Sequence, residues 1–289
     1  MNTQIGIVIP TYQAEKHLPH CLAPLLQSPL RPRILVIDSS STDNTVEIAK
    51  EMGAEALVIP KKDFNHGTTR ETGRRHLNTP IVVMITQDAY AASPAMLNDL
   101  IKPLIDNKAA VSYARQIPHH QAGFFASFPR KFNYPEESHI RSLADCEQYG
   151  PYTFFCSNSC AAYCNAALDE IGGFSPALFG EDTIAVAKLL HRGQRIAYVA
   201  EAMVHHSHDY SLKQEFFRHI DMGASRRRHQ ELLAICGSDS KRGKAFVGAM
   251  LKELWQTAPF LIPYALLQTA VKYAGYRVGA LLHSSQLSH

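Results

Sequence analysis

The sequence predicts an α/β fold: a doubly wound, mostly parallel sheet flanked by helices, with a C-terminal helical extension. Three observations predict it. Short apolar, β-branched runs recur in the first ninety residues, at Ile5–Ile9, Ile34–Ile37, Ala56–Ile59 and Ile81–Ile85. These runs are continuous rather than alternating, as parallel strands buried on both faces are. Helix-length segments separate them, which gives βαβ units and an open sheet.

Taken in order, Ile5–Ile9 ends in Pro10-Thr11-Tyr12 and leads into a helix around Ala14–Gln27. Ile34–Ile37 ends in Asp38-Ser39-Ser40-Ser41-Thr42-Asp43, where Thr42 or Asp43 can cap the helix Thr45–Met52. Arg70–Leu77 is helix-compatible, and the strand Ile81–Ile85 ends in Thr86-Gln87-Asp88-Ala89. The stretch from about 110 to 155 is less regular, either an acceptor-side insertion or a long surface excursion. Ser157–Ile171 has helical spacing and stops at Gly172-Gly173, a plausible C-cap. A helix over Glu181–His191 ends at Gly193, and Ile196–Val199 reads as a strand. The tail after residue 244 is helical, interrupted at Pro259 and Pro263. No internal repeat and no low-complexity segment is visible.

The 289 residues are 46% hydrophobic and 19% charged, too apolar for disorder. The formal net charge of +3 gives no case for a nucleic-acid partner. The six cysteines contain no C-x-x-C pair, and Cys156, Cys160 and Cys164 fall at intervals of four, on one face of the expected helix. Buried reduced thiols are expected, not a metal or disulfide framework. The chain enters a strand-like run at once, and no apolar run reaches the roughly 18 residues of a membrane span. A cytoplasmic protein is therefore expected.

In an open α/β sheet, ligands sit beyond the carboxyl ends of the strands. Thr11, Asp38 and Asp88 stand there. No G-x-G-x-x-G follows the first strand, so a dinucleotide cradle is missing. The nearest approach to a P-loop, Gly237 to Gly243-Lys244, is one residue too long and is followed by Ala245. A nucleotide diphosphate would then need a metal or basic side chains to balance it. Mg2+ and Mn2+ favour carboxylate oxygens and bridge to phosphates. Asp88, next to Gln87, is either such a ligand or a turn residue. Glu181 and Asp182, after Gly180, are either acids favoured by a helix N-terminus or the source of a general base. His205, His206 and His208 can ligate a metal or simply form a solvated loop.

In this order the motifs resemble those of the family-2 inverting glycosyltransferases with the GT-A fold, and in particular bacterial rhamnosyltransferases of surface polysaccharides. The likeness spans essentially the whole chain. Ile7-Val8-Ile9-Pro10-Thr11-Tyr12 resembles the first strand and nucleotide loop, and Ile37-Asp38-Ser39 the second-strand motif. Asp63-Phe64-Asn65-His66-Gly67-Thr68-Thr69-Arg70 is similar to a stretch of the rhamnosyltransferase subgroup. Thr86-Gln87-Asp88-Ala89 takes the place of the D-x-D metal motif, with Thr86 where the first Asp would stand. Phe155-Cys156-Ser157-Asn158-Ser159 and Ile171-Gly172-Gly173-Phe174 resemble the segment before the acid pair, Glu181-Asp182. His206-Ser207-His208 matches the stretch that follows, and Lys272-Tyr273-Ala274-Gly275-Tyr276-Arg277 a C-terminal one.

The resemblance implies a nucleotide site of Pro10, Thr11, Tyr12, Asp38, Asn65, His66, Gly67, Arg70, Gln87 and Asp88. It implies a divalent metal, Mg2+ or Mn2+, on Asp88 with His208 or His206, His208 being favoured. Asp182 becomes the base and Glu181 the residue that shapes the site. The implied reaction moves a deoxyhexose, L-rhamnose, from a dTDP-sugar to a hydroxyl of a glycan or lipid-linked glycan, as in O-antigen assembly in the cell envelope. The implied division is a glycosyltransferase domain over 1–243, with a nucleotide half 1–110 and an acceptor half 111–243, then an extension over 244–289.

That extension carries Phe246, Met250, Leu251, Leu254, Trp255, Phe260 and Leu267 with Lys244, Lys252, Lys272 and Arg277 interleaved. Such a segment can lie on the inner face of the cytoplasmic membrane as a peripheral element, or pack on the domain or form a homodimer. The run Arg226-Arg227-Arg228-His229 is either a solvated face or a contact for phosphates. Two alternatives remain at this stage. Another nucleotide sugar can be the donor, or the protein can be a non-catalytic nucleotide-binding or membrane-associated assembly protein. Thr86 leaves room for the second, and the intact Glu181-Asp182 argues against it. A nucleotidyltransferase would want a Gly-rich basic loop after the first strand, which Pro10-Thr11-Tyr12 does not supply.

Overall fold

The computed structural model describes residues 4–238 and 240–282. Its first half runs β1 (Ile5–Thr11), α1 (Leu18–Leu26), β2 (Arg33–Asp38), α2 (Thr45–Glu51), β3 (Glu55–Val58), α3 (His66–Leu77), β4 (Ile81–Ile85), β5 (Tyr90–Ala91), α4 (Met96–Ile105) and β6 (Val111–Ile117). It continues through α5 (Phe124–Asn133), β7 (His139–Arg141), α6 (Cys146–Tyr149), β8 (Cys160–Cys164), α7 (Asn165–Glu170), α8 (Glu181–His191) and β9 (Ile196–His205). It closes with α9 (Leu212–Arg228), α10 (Gln230–Leu233), α11 (Ser240–Thr257) and α12 (Ile262–Leu282).

All nine strands of the described residues join one sheet, in the order β3-β2-β1-β4-β8-β6-β9-β5, with β7 on β9. The first four are parallel, as their unbroken apolar runs predict. Beyond β4 the sheet is mixed. Strand β8 lies antiparallel between β4 and β6, and β9 returns parallel to β6. One face buries Leu18, Leu22 and Leu25 of α1 with Leu97, Leu100 and Ile101 of α4. The other buries Leu77 of α3, Leu168 of α7, and Val186, Leu189 and Leu190 of α8. This is the sheet between two helical layers that the sequence predicts.

Several expectations are corrected. Ser157–Ile171 is not one helix but strand β8 followed by the short α7. The segment Cys160-Ala161-Ala162-Tyr163-Cys164 alternates: Cys160 and Ala162 enter one core, Ala161 and Tyr163 the other. Small residues fit helical and strand periods equally well, and pairing with β4 and β6 decides between them. The thiols are not all free. Cys146 and Cys236, 90 residues apart, form a disulfide, while Cys21, Cys156, Cys160 and Cys164 stay reduced. A pairing over that separation leaves no trace in local spacing. Helix α3 begins four residues earlier than Arg70, because Asn65 caps it by accepting from the backbone N–H of Gly67 and Thr68. Asn44 is the cap residue of α2, while Asp43 accepts from Thr45. Pro263 falls in the first turn of α12 and does not interrupt it, since a first-turn proline costs no hydrogen bond.

The extension packs chiefly on α9. Glycines make the seam: a Cβ on Gly279 would lie 2.0 Å from the carbonyl oxygen of Ile220, and one on Gly223 2.1 Å from that of Tyr276. Helix α5 completes a third cluster, in which Phe128 meets Met250, Leu254 and Ala265. None of the described helices is long and apolar enough to cross a membrane.

Candidate active site

Helix α8 opens on a glycine. Gly180 has φ 79°, in the left-handed region that glycine tolerates, and this turn aims Glu181 and Asp182 back toward the sheet. Glu181 is buried and forms an ion pair with Arg70 of α3 at 3.1 Å. It also accepts from the side chain of Asn158 at 3.0 Å. Burial opposes its ionisation, but the charges of Arg70 and His66 and the Asn158 bond hold its carboxyl below the usual range.

Asp182 is placed differently. Its two oxygens accept from the backbone N–H of Thr183 at 2.6 Å and of Asn158 at 3.2 Å. Burial and then the neighbouring Glu181 charge push its pKa up to about 6, against the pull of those amides. A carboxylate so held is a stronger base than a solvated one and is still mostly ionised at neutral pH. Asn158, seated just before β8, thus serves both acids.

In the lining of the same cavity, the turn after strand β4 supplies Asp88, and β9 runs on past its expected end to deliver His206 and His208. His206 Nε2 lies 3.6 Å from Asp88 Oδ1, His208 Nε2 3.4 Å from Asp88 Oδ2, and the two Nε2 atoms 3.0 Å from each other. These three residues form a group able to hold a metal ion. Burial keeps His206 neutral, pushing it down to about 3, and lowers His208 as well. Neutral imidazoles are the ligating form. The second nitrogen of His206, Nδ1, meets Gln116 Oε1 at 2.9 Å, which fixes Nε2 as the lone-pair donor facing Asp88. The donor set of one carboxylate and two neutral imidazoles fits a divalent metal.

Both centres face one cavity of about 990 Å³, lined by His66, Arg70, Asp88, Asn158, Glu181, Asp182, His206 and His208, among others. The remaining residues expected at the nucleotide lie outside that lining. Asp38 has no exposed surface: Thr11 Oγ1 donates to it at 2.9 Å, and Ser41 donates from N at 2.7 Å and Oγ at 2.6 Å. Gln87 holds the backbone of Tyr12 from both sides, accepting from its N–H at 2.8 Å and donating to its carbonyl at 3.2 Å. Pro10 pairs with Ile37 in the sheet. Tyr12 is exposed, with Lys61 Nζ donating to its hydroxyl at 2.7 Å. Asn65 joins the α3 cap to the chain at Ala177, and Gly67 allows that contact, since a Cβ would lie 1.9 Å from the carbonyl oxygen of Ser175. Gln116, Arg130 and Arg218 also line the cavity and were not singled out by sequence. No motif marks them, because each is a lone polar residue on an otherwise structural element.

The fold, and a cavity lined by both the Glu181-Asp182 carboxylate pair and an Asp–His–His group able to hold a metal, are those of a glycosyltransferase enzyme. The chain belongs to glycosyl transferase family 2, whose family model matches residues 6–172. It is 36% identical over 289 residues to the O-antigen chain rhamnosyltransferase RfbN of Salmonella typhimurium, covering 99% of this chain and 92% of that one. It is 37% identical over 258 residues to the O-antigen chain rhamnosyltransferase WbaN of Salmonella anatum, covering 89% and 82%. Its fold is similar to that of the mannosyltransferase PcManGT of Pyrobaculum calidifontis, solved with GDP-Man and Mn2+, with a TM-score of 0.68 at 15% identity over 99% of this chain and 88% of that one. The S. aureus TarS 1–349 structure with UDP-GlcNAc is similar at a TM-score of 0.58 and 14% identity, over 98% and 92%.

Proposed function

We propose that the protein is an inverting glycosyltransferase that moves L-rhamnose from dTDP-L-rhamnose to a hydroxyl of a lipid-linked O-antigen acceptor. The observation that carries the reaction type is that Asp182 and the Asp88–His206–His208 cluster face a single cavity. The choice of sugar and acceptor rests on the full-length likeness to two O-antigen chain rhamnosyltransferases.

Asp182 takes the proton of the acceptor hydroxyl as that oxygen attacks the anomeric carbon. Its backbone partners fix the carboxylate plane, and Glu181, kept ionised by Arg70, holds its basicity up. Asp88, His206 and His208 hold the divalent ion. When bound, the ion supplies Lewis-acid stabilisation for the departing diphosphate. Two nitrogen ligands beside one carboxylate favour Mn2+ over Mg2+, which prefers an all-oxygen shell. Attack from the side opposite the diphosphate inverts the anomeric centre without a covalent intermediate. Thr11 and Asp38 act on the nucleotide through the loop they tie down, and Tyr12 offers it an exposed ring beside Lys61.

The domain reading follows: residues 1–110 bind the nucleotide, 111–243 the acceptor, and 244–289 form the extension. The extension associates with the inner face of the cytoplasmic membrane. Trp255, Phe260 and Leu267 are exposed on it, and no Asp or Glu follows Glu253. Dimerisation through the glycines of α12 is disfavoured, because α9 already occupies that seam. Incubating the protein with a panel of nucleotide sugars and a lipid-linked glycan tests the reading. Transfer from dTDP-L-rhamnose with inverted configuration is the expected result, and transfer only from another sugar nucleotide would overturn the donor assignment.

A further inference from the structure

We infer that Arg130 and Arg218 form a phosphate-binding pair beside the Asp88–His206–His208 cluster, taking the diphosphate of the donor. The inference rests on the proposed function for the identity of the donor, though not for the chemistry of the pair.

Arg130 stands on α5 and Arg218 on α9, and both line the cavity. Among the described residues neither has a carboxylate partner. Their neighbours differ: Arg70 is matched by Glu181, and Arg74 by Glu71 and Asp169. Arg141 also lacks an acid, but it is fully buried outside the cavity lining and donates to the carbonyl oxygens of Tyr152 and Phe155. Arg130 and Arg218 leave donors free toward the cleft. Arg130 donates from Nε to the carbonyl oxygen of His206 at 2.9 Å, with Nη2 3.4 Å from His206 Nδ1, while Nη1 has no partner among the described residues. Arg218 donates from Nη1 to the Tyr210 hydroxyl at 2.7 Å, and its guanidinium lies over the rings of Tyr210 and Phe179.

Desolvating a cation without a counter-charge is costly, and two guanidinium groups lining one cavity add their mutual repulsion to that cost. The acids of the cavity make no ion pair with either arginine among the described residues. Glu181 is committed to Arg70, Glu215 to Lys272 and His219, and Asp88 to His206 and His208. Asp182 accepts from backbone amides, and Asp221, also in the lining, contacts neither guanidinium. An arriving dianion offsets the cost, and a guanidinium fork matches phosphate oxygens two at a time. The placement points to the phosphates nearest the metal cluster. Arg130 rests on the backbone of His206. Arg218 is held by Tyr210, whose ring stacks on that of His208 with centroids 4.9 Å apart. Arg130 thus touches a residue of the cluster directly, and Arg218 is one contact removed from another.

Calorimetric titration of the full chain with dTDP and with inorganic pyrophosphate, in Mn2+, tests the pair. Arg218→Gln and Arg130→Gln should each weaken both ligands about tenfold or more and flatten the salt dependence of binding, while Arg218→Lys restores part of the loss. Mn2+ binding without phosphate should be unchanged in Arg218→Gln. Unaltered dTDP and pyrophosphate affinity in both Gln variants, with unaltered KM for the lipid-linked acceptor, would overturn the inference. Unaltered dTDP binding with a raised acceptor KM would overturn the donor assignment and place the acceptor's phosphate there. If wild-type protein binds pyrophosphate through these arginines but no dTDP-sugar, the donor reading fails and the pair stands.

Discussion

The guanidinium of Arg70 lies 3.1 Å from the carboxylate of Glu181, and both side chains are almost wholly shielded from solvent. Removing one partner of a buried pair strands the other charge, at a cost of about 3–5 kcal/mol. Arg70→Met should therefore destabilise the fold by that order at pH 7. Glu181 has a depressed pKa in the folded state, so its contribution is present above the unfolded carboxyl range and is lost as pH falls through the folded value. The penalty of Arg70→Met should shrink in strongly acidic buffer. Denaturant titrations at the two pH values check this, and an equal penalty at both would mean that packing, not charge, is what Arg70 supplies.

Asp182 must be ionised to accept a proton, and its pKa stands at about 6. Below that value the protonated fraction grows, so kcat/KM should fall about tenfold per pH unit. Asp182→Asn should keep dTDP binding, lose transfer by ~10²–10⁴-fold and show no such limb. Retained turnover in the rhamnose-transfer assay would remove Asp182 from the chemistry.

Asp88 is the one carboxylate of the metal cluster. Asp88→Ala should abolish tight Mn2+ binding, followed by electron paramagnetic resonance. It should weaken dTDP binding more in Mn2+ than in chelator. Equal binding in both conditions would mean that the nucleotide is held without a metal.

Gly279 touches the carbonyl of Ile220 so closely that any side chain must push α12 off α9. Overpacking of this kind costs typically about 1–3 kcal/mol. Gly279→Val should lower the melting temperature by several degrees, whereas Gly248→Val, where a Cβ meets nothing, should cost much less. Differential scanning calorimetry distinguishes the two.

Trp255 is the single tryptophan of the chain and is 74% exposed. Its emission should shift to the blue when vesicles containing anionic lipid are added. A truncation before Lys244 removes that reporter, and its co-sedimentation with the same vesicles should fall. Unchanged emission and unchanged sedimentation would assign the exposed face of the extension to something other than lipid.

By itself the sequence determined the parallel half of the sheet, the position of Asp88 at a strand end, and the Glu181-Asp182 pair at a helix start. These are local properties: apolar runs, a glycine before a helix, and acids at its N-terminus are written within a few residues. Only the tertiary structure decided that Cys160–Cys164 is a strand, because its small residues suit either period until β4 and β6 flank it. Only it decided that Gln116 orients His206, that Asn158 serves both acids, that Cys146 meets Cys236, and that Arg130 and Arg218 reach the cleft with no carboxylate partner among the described residues. Each of those relationships joins residues 23 to 90 positions apart. Contacts at such separations follow from how helices and strands pack, and the local sequence pattern does not encode them.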